Sequence, residues 1–206
     1  MSVERVDLKM LEEYINTLDI IFKKYAEEQD EISLAYNKVT SVWKDKISLI
    51  TGQALDDTGR CILIMHEAFS RILTIINRRY SQMSERYAER SWDANVNVPE
   101  FKVKLNLEEN VNMDVINGTT VEGIKSFERA LEEYIESTQK NLSSIQRAHN
   151  NVATGWKDDQ YSRMTDKINE FSATINTQVN VLNTLQSWIV QRRISFEEAL
   201  ENVITD

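Results

Sequence analysis

The sequence predicts an all-α protein built from two tandem long helical hairpins that form an antiparallel four-helix bundle. Three observations predict it. Helix breakers are nearly absent, with one proline and five glycines in 206 residues, and each would cost about 3 or about 1 kcal/mol inside a helix. Apolar residues recur in steps of three, four and seven over long spans, which is the period of an amphipathic helix. Finally, the segment Val42-Trp43-Lys44-Asp45 returns 113 residues later as Gly155-Trp156-Lys157-Asp158.

Laid on itself at that offset, without a gap, the chain matches apolar to apolar throughout. Leu11 meets Ile124, Tyr14 meets Phe127, Leu18 meets Leu131, Ile32 meets Ile145 and Val39 meets Val152. Beyond the tryptophans, Leu55 meets Ile168, Ile62 meets Ile175, Phe69 meets Leu182 and Ile76 meets Ile189. A repeat of this kind is a duplicated structural unit. It divides the chain into a first hairpin over 1–91, a linker over 92–120 and a second hairpin over 121–206.

The first helix carries Leu11, Tyr14, Leu18, Ile21, Tyr25, Ile32, Val39 and Trp43 on one stripe. The second carries Leu55, Ile62, Phe69, Ile72, Ile76, Tyr80, Met83 and Tyr87. In the repeat the stripes are Ile124, Phe127, Leu131, Tyr134, Leu142, Ile145, Val152 and Trp156, then Ile168, Ile175, Leu182, Leu185, Ile189, Phe196 and Leu200. Each helix is expected to run about 30 to 40 residues, or roughly 45 to 60 Å. Gly52 and Gly59 lie close together and predict a bend or short break in the second helix.

In the linker, Phe101, Val103, Leu105 and Leu107 alternate with polar residues, and Val111, Met113 and Val115 alternate again. That is a strand period. It predicts either a small β-hairpin or an extended crossover packed along the helices. An antiparallel pairing of hairpins asks the linker to cross about 45 Å, which about 14 extended residues can span. A linker of this length therefore suits that pairing, and it would also permit exchange between two chains.

Composition narrows the function. The net charge is −9, with 33 acidic and 24 basic residues, so a nucleic acid is not an expected partner, since phosphate binding needs clustered cations. The pairs Arg78-Arg79 and Arg192-Arg193 are read as late-helix cations favoured by the helix dipole. Cys61 stands alone, within an apolar run, and is expected to be a small buried hydrophobe. Neither a Sec leader nor a stretch of about 20 apolar residues is visible, so synthesis in the cytoplasm and no membrane insertion are expected.

No constellation for catalysis, cofactor or metal binding can be assembled, and the chain reads as a non-enzyme without a cofactor. His66 and His149 lack metal-site spacing, and no phosphate loop, dinucleotide fingerprint or nucleophile elbow is present. Asn117-Gly118-Thr119 matches a glycosylation pattern but is first a turn signal.

The six residues Trp43, Lys44, Asp45, Trp156, Lys157 and Asp158 are the candidate hairpin-turn motifs. A large indole would close the apolar face of the first helix of each hairpin. Asp45 and Asp158 are placed to cap the helix that follows, accepting from amides two and three residues on. With these motifs the chain resembles the WXG family, the early-secreted-antigen-like helical hairpins of bacterial type VII secretion. Asp stands here where that family usually has Gly, and the string WKDDQYSRM around Trp156 resembles relatives that carry Trp-x-Asp. The resemblance implies a substrate, export partner or chaperone that works by helix-helix recognition of a protein partner, a homodimer being one form of it. The family's export signal, Tyr-x-x-x-Asp/Glu, has no match, since Tyr80 is followed by Ser84 and Tyr87 by Ser91. The alternative reading is a helical-bundle interaction or scaffold module unrelated to secretion.

Overall fold

The protein is described here by a computed structural model covering residues 7–87, 100–107 and 117–205. It is all-α. Four helices account for nearly all of these residues: α1 (Leu8–Val39), α2 (Lys46–Tyr87), α3 (Gly118–Val152) and α4 (Asp159–Thr205). Among the described residues there is no strand.

Each helix starts on an Asx cap. Asp7 Oδ1 accepts from the amides of Lys9 and Met10 at 3.0 and 3.1 Å, and Asn117 Oδ1 accepts from the amide of Thr120 at 3.0 Å. Asp45 and Asp158 cap α2 and α4. These acceptors satisfy amides that have no carbonyl one turn earlier. Asn117 therefore starts α3 at Gly118, inside the span that sequence assigns to the linker. Helices α2 and α4, at 42 and 47 residues, also outrun the expected length.

The sequence stripes form the core. Every α1 and α3 position of the stripe is buried, as are Leu55, Ile62, Phe69, Ile76, Tyr80, Ile168, Ile175, Leu182, Leu185, Ile189 and Phe196. Ile72 and Leu200 are only half-buried, and Leu73 takes the core position beside Ile72. The side chains of Met83 and Tyr87 lie outside the described residues, as do the chain segments holding Trp92, Pro99, Val111, Met113 and Val115. Cys61 is half-buried, not buried.

The chain divides into two compact units, and each draws on all four helices. One comprises Met1–Ala26, Cys61–Glu100 and Lys140–Ile175. In it the start of α1 packs on the end of α3 through Tyr14 and His149. The later part of α2 packs on the start of α4 through Arg79 and Tyr80. The other comprises Glu27–Arg60, Phe101–Gln139 and Asn176–Asp206. There Gln29 meets Tyr134 and Tyr36 meets Phe127, so partners climb α1 as they descend α3 and the two helices are antiparallel. In each unit, then, the elbow of one hairpin lies against the open ends of the other.

Residues 100–107 are extended, and their amides find partners without a second strand. Lys102 and Val103 both donate to Asp30 Oδ1 at 2.8 and 2.9 Å. Asn37 Nδ2 donates to the Lys104 carbonyl at 2.8 Å, and the Asn106 amide returns a bond to Asn37 Oδ1 at 2.8 Å. Asp30 and Asn37 stand two helical turns apart, about 10 Å, which three extended residues also span. That match of rise holds the segment along the helices. Of the linker, 100–107 lies along α1 without a strand; the residues that would complete either reading, the crossover or the β-hairpin, lie outside the described residues.

Gly52 and Gly59 do not break α2. They are places where neighbours press on the backbone, closely enough at Gly52 to exclude a Cβ unless they shift and tightly at Gly59. A Cβ on Gly52 would fall 2.3 Å from Tyr36 Oη and 2.6 Å from Leu107 Cδ2. At Gly59 it would meet the Gln29 amide at 3.0 Å and Phe101 Cε2 at 3.1 Å. Spaced seven apart, the two glycines share one face and leave a furrow for α1 and residues 100–107.

Candidate functional site

The Trp-Lys-Asp segments occupy the connections between α1 and α2 and between α3 and α4. Both are built alike. The Val42 and Trp43 amides bond to the Val39 carbonyl at 3.0 and 2.9 Å, and the Gly155 and Trp156 amides to the Val152 carbonyl at 3.0 Å each. This turns the chain inward, and both indoles are fully buried. Trp156 packs 6.0 Å from Tyr14 and edge-on to Tyr161 at 5.4 Å. Lys44 is half-buried and Lys157 exposed.

The aspartates divide their two oxygens between two tasks. Asp45 Oδ1 accepts from the amides of Ile47 and Ser48 at 2.8 and 3.0 Å, while its Oδ2 accepts from Arg192 Nε at 2.8 Å. Asp158 Oδ1 accepts from the amides of Gln160 and Tyr161 at 2.9 and 3.0 Å. Its Oδ2 takes the Tyr80 hydroxyl at 2.6 Å and Arg79 Nη1 at 3.4 Å. One oxygen caps the helix of its own hairpin, and the other grips the second helix of the opposite hairpin. The Asp158 carboxylate is fully buried and Tyr80 is 1% exposed. Burial is the larger cause, and the bond to Asp158 the next, that pushes the Tyr80 hydroxyl well above its usual range.

Arg79 and Arg192 correct the sequence reading. They stand eight and thirteen residues before the ends of their helices, beyond the last turn where the dipole acts. Their role is to pair with the elbow aspartates. The signal for it is present in the sequence: Arg79 and Arg192 are 113 residues apart, the same offset that relates Asp45 to Asp158. Tyr80 has no such signal, because its equivalent is Arg193, which pairs with Glu128 at 2.9 Å and Glu197 at 2.7 Å.

A buried polar chain lies beside the Trp156 elbow. Thr165 donates its hydroxyl to the Tyr161 carbonyl at 2.9 Å, so its oxygen is left to accept from His149 Nε2 at 2.7 Å. That fixes the proton on Nε2, and Nδ1 accepts from the Tyr14 hydroxyl at 3.1 Å. The ring stacks on Tyr161 at 4.5 Å and 8°. Burial lowers the His149 pKa to about 4, so the imidazole is neutral and serves as a packed connector. His66 is fully buried edge-on to Phe22, with Ser70 Oγ 3.5 Å from Nδ1, and burial lowers it to about 4 as well.

These groups hold helices together. Among the described residues no group of three or more His, Cys, Asp or Glu is placed to hold a metal ion, and no described helix is long and apolar enough to cross a membrane. Comparison with known proteins returns no matching family model, no matching curated protein and no matching solved structure.

Proposed function

We propose that this chain is a non-enzymatic recognition module of WXG type, a tandem fusion of two hairpins that serves a bacterial type VII secretion system as substrate, export partner or chaperone. The observation that carries this reading is the duplicated elbow. A fully buried Trp followed by a capping Asp closes each hairpin, and in each case that Asp reaches the opposite hairpin. Such a device holds two hairpins elbow to open end, and its work is packing; no bond need be made or broken.

On this reading the fused pair takes the place of two separate hairpin chains. The chain contains no Tyr-x-x-x-Asp/Glu segment, so its export would depend on a partner that supplies one. The test is made in the native host with an epitope-tagged chain. Its share in the culture medium should fall to background when the FtsK-like ATPase of the secretion system is inactivated. Equal amounts in the medium with and without that ATPase would overturn the secretion reading. Should the tagged chain stay in the cell in both strains, a binding partner that carries the Tyr-x-x-x-Asp/Glu signal is the remaining prediction. Its absence among proteins retained with the tag would overturn that reading too.

A further inference from the structure

Contacts between the hairpins recur in pairs related by 113 residues, and one of these pairs has exchanged its contents. Positions 10 and 155 meet in one unit as positions 123 and 42 meet in the other. In the first, the helix start offers the large residue, Met10, and the elbow offers Gly155. A Cβ on Gly155 would lie 2.8 Å from Met10 Sδ and 3.0 Å from Asp7 Cβ, and the Asp7 amide is tied to the Gly155 carbonyl at 2.6 Å. In the second, the helix start offers Gly123 and the elbow offers Val42, whose Cγ2 would lie 2.8 Å from a Cβ at 123. Knob and hole have changed sides.

Two polar contacts are not repeated at the equivalent positions. Tyr14 donates to His149, while the equivalent pair, Phe127 and Tyr36, packs ring to ring at 6.1 Å with no hydroxyl on the phenylalanine. Gln29 Oε1 accepts from the Tyr134 hydroxyl, whereas the equivalent positions hold Leu142 and Ile21, both buried.

We propose that this exchange and the two unrepeated polar contacts make the docking surface of each hairpin specific for the other hairpin and hostile to a copy of itself. Were the first hairpin to dock on its own copy, Met10 and Val42 would compete for one space, and Gln29 would face Ile21. Were the second to do so, Gly123 would face Gly155 across a gap and His149 would face Phe127. Packed interiors tolerate neither the overlap nor the void, and a buried amide or imidazole that loses one of its hydrogen bonds is costly. The arginines of the aspartate clamps do not discriminate. Asp45 on Arg79, or Asp158 on Arg192, would keep the same charges. The clamps hold any antiparallel pairing, and the exchanged residues choose which one. This inference is independent of any role in secretion.

The test uses the full chain. The double variant M10G/G123M puts large against large at one elbow and small against small at the other, and fits like hairpins from different chains. The quadruple variant M10G/G123M/V42G/G155V keeps those two helix substitutions and restores one large and one small residue at each crossing. The double variant should melt roughly 5–15 °C below the parent, and by light scattering its mass should rise with concentration. The quadruple variant should regain most of the lost melting temperature and the parent's mass. A quadruple variant no more stable than the double, or one that fails to fold, would overturn the proposal. So would a double variant that matches the parent in both melting temperature and mass.

Discussion

Replacing the two elbow aspartates should have unequal effects, although their motifs match. In Asp158→Ala three losses combine. The α4 cap is removed, at about 1 kcal/mol. The Tyr80 hydroxyl is left buried without its 2.6 Å acceptor, a loss of about 1–3 kcal/mol. The Arg79 pair, 3.4 Å long and with the arginine 38% exposed, adds less than about 1 kcal/mol. The total is about 2–5 kcal/mol, or roughly 4–20 °C in melting temperature for a chain of this size. Asp45→Ala loses a cap and the Arg192 pair, with no buried hydroxyl losing its acceptor, and should cost about 1–2 kcal/mol. Asp158→Asn keeps a capping oxygen and should fall between the parent and Asp158→Ala. Urea unfolding followed by circular dichroism, with the slope compared across variants, measures all three. Equal losses for the two alanine variants, or an Asn variant as unstable as the Ala variant, would refute the division of labour between the two oxygens.

Other perturbations follow from the same geometry. Trp43→Ala and Trp156→Ala should each destabilise by about 3–5 kcal/mol, which thermal unfolding reads directly. Stability should fall as pH drops from about 6.5, where the unfolded histidines begin to protonate, toward the folded values of about 4 for His66 and His149. The native state binds fewer protons in that window, and each fully developed shift is worth about 3 kcal/mol. His66→Leu should flatten the dependence of melting temperature on pH between 6.5 and 4, and an unchanged slope would contradict a buried neutral imidazole. Asp30→Ala should speed amide exchange at Lys102 and Val103, whose amides it accepts, while leaving the core of α3 protected.

The helical stripes were legible because burial follows a 3.6-residue period wherever two helices face each other. Leu11, Leu18, Ile124 and Leu131 are buried for that reason alone. The capping oxygens of Asp45 and Asp158 were legible too, since capping is local and spans two or three residues. The second oxygen was not, because its partners are 147 and 79 residues away. Only the offset shared by Arg79 and Arg192 points to them. Gly52 and Gly59 read as a bend or a short break because sequence shows a missing side chain but not the Tyr36 ring, Phe101 and Leu107 that use the space. The segment 100–107 alternates like a strand, and its half-buried Phe101, Val103 and Leu105 keep that period. What the period could not tell was that Asp30 and Asn37 side chains would stand in for a neighbouring strand.

That the two hairpins close on each other within one chain, elbow against open end, can be tested by a single cross-link. An ideal Cβ at position 155 lies 3.6 Å from Met10 Cβ, inside the range that a disulfide requires. The variant M10C/G155C, with Cys61→Ala to remove the native thiol, should oxidise to a species that migrates as one chain on a non-reducing gel. It should also melt higher than its reduced form. Failure to form the bond under mild oxidation, or a disulfide that links two chains, would contradict the intramolecular pairing.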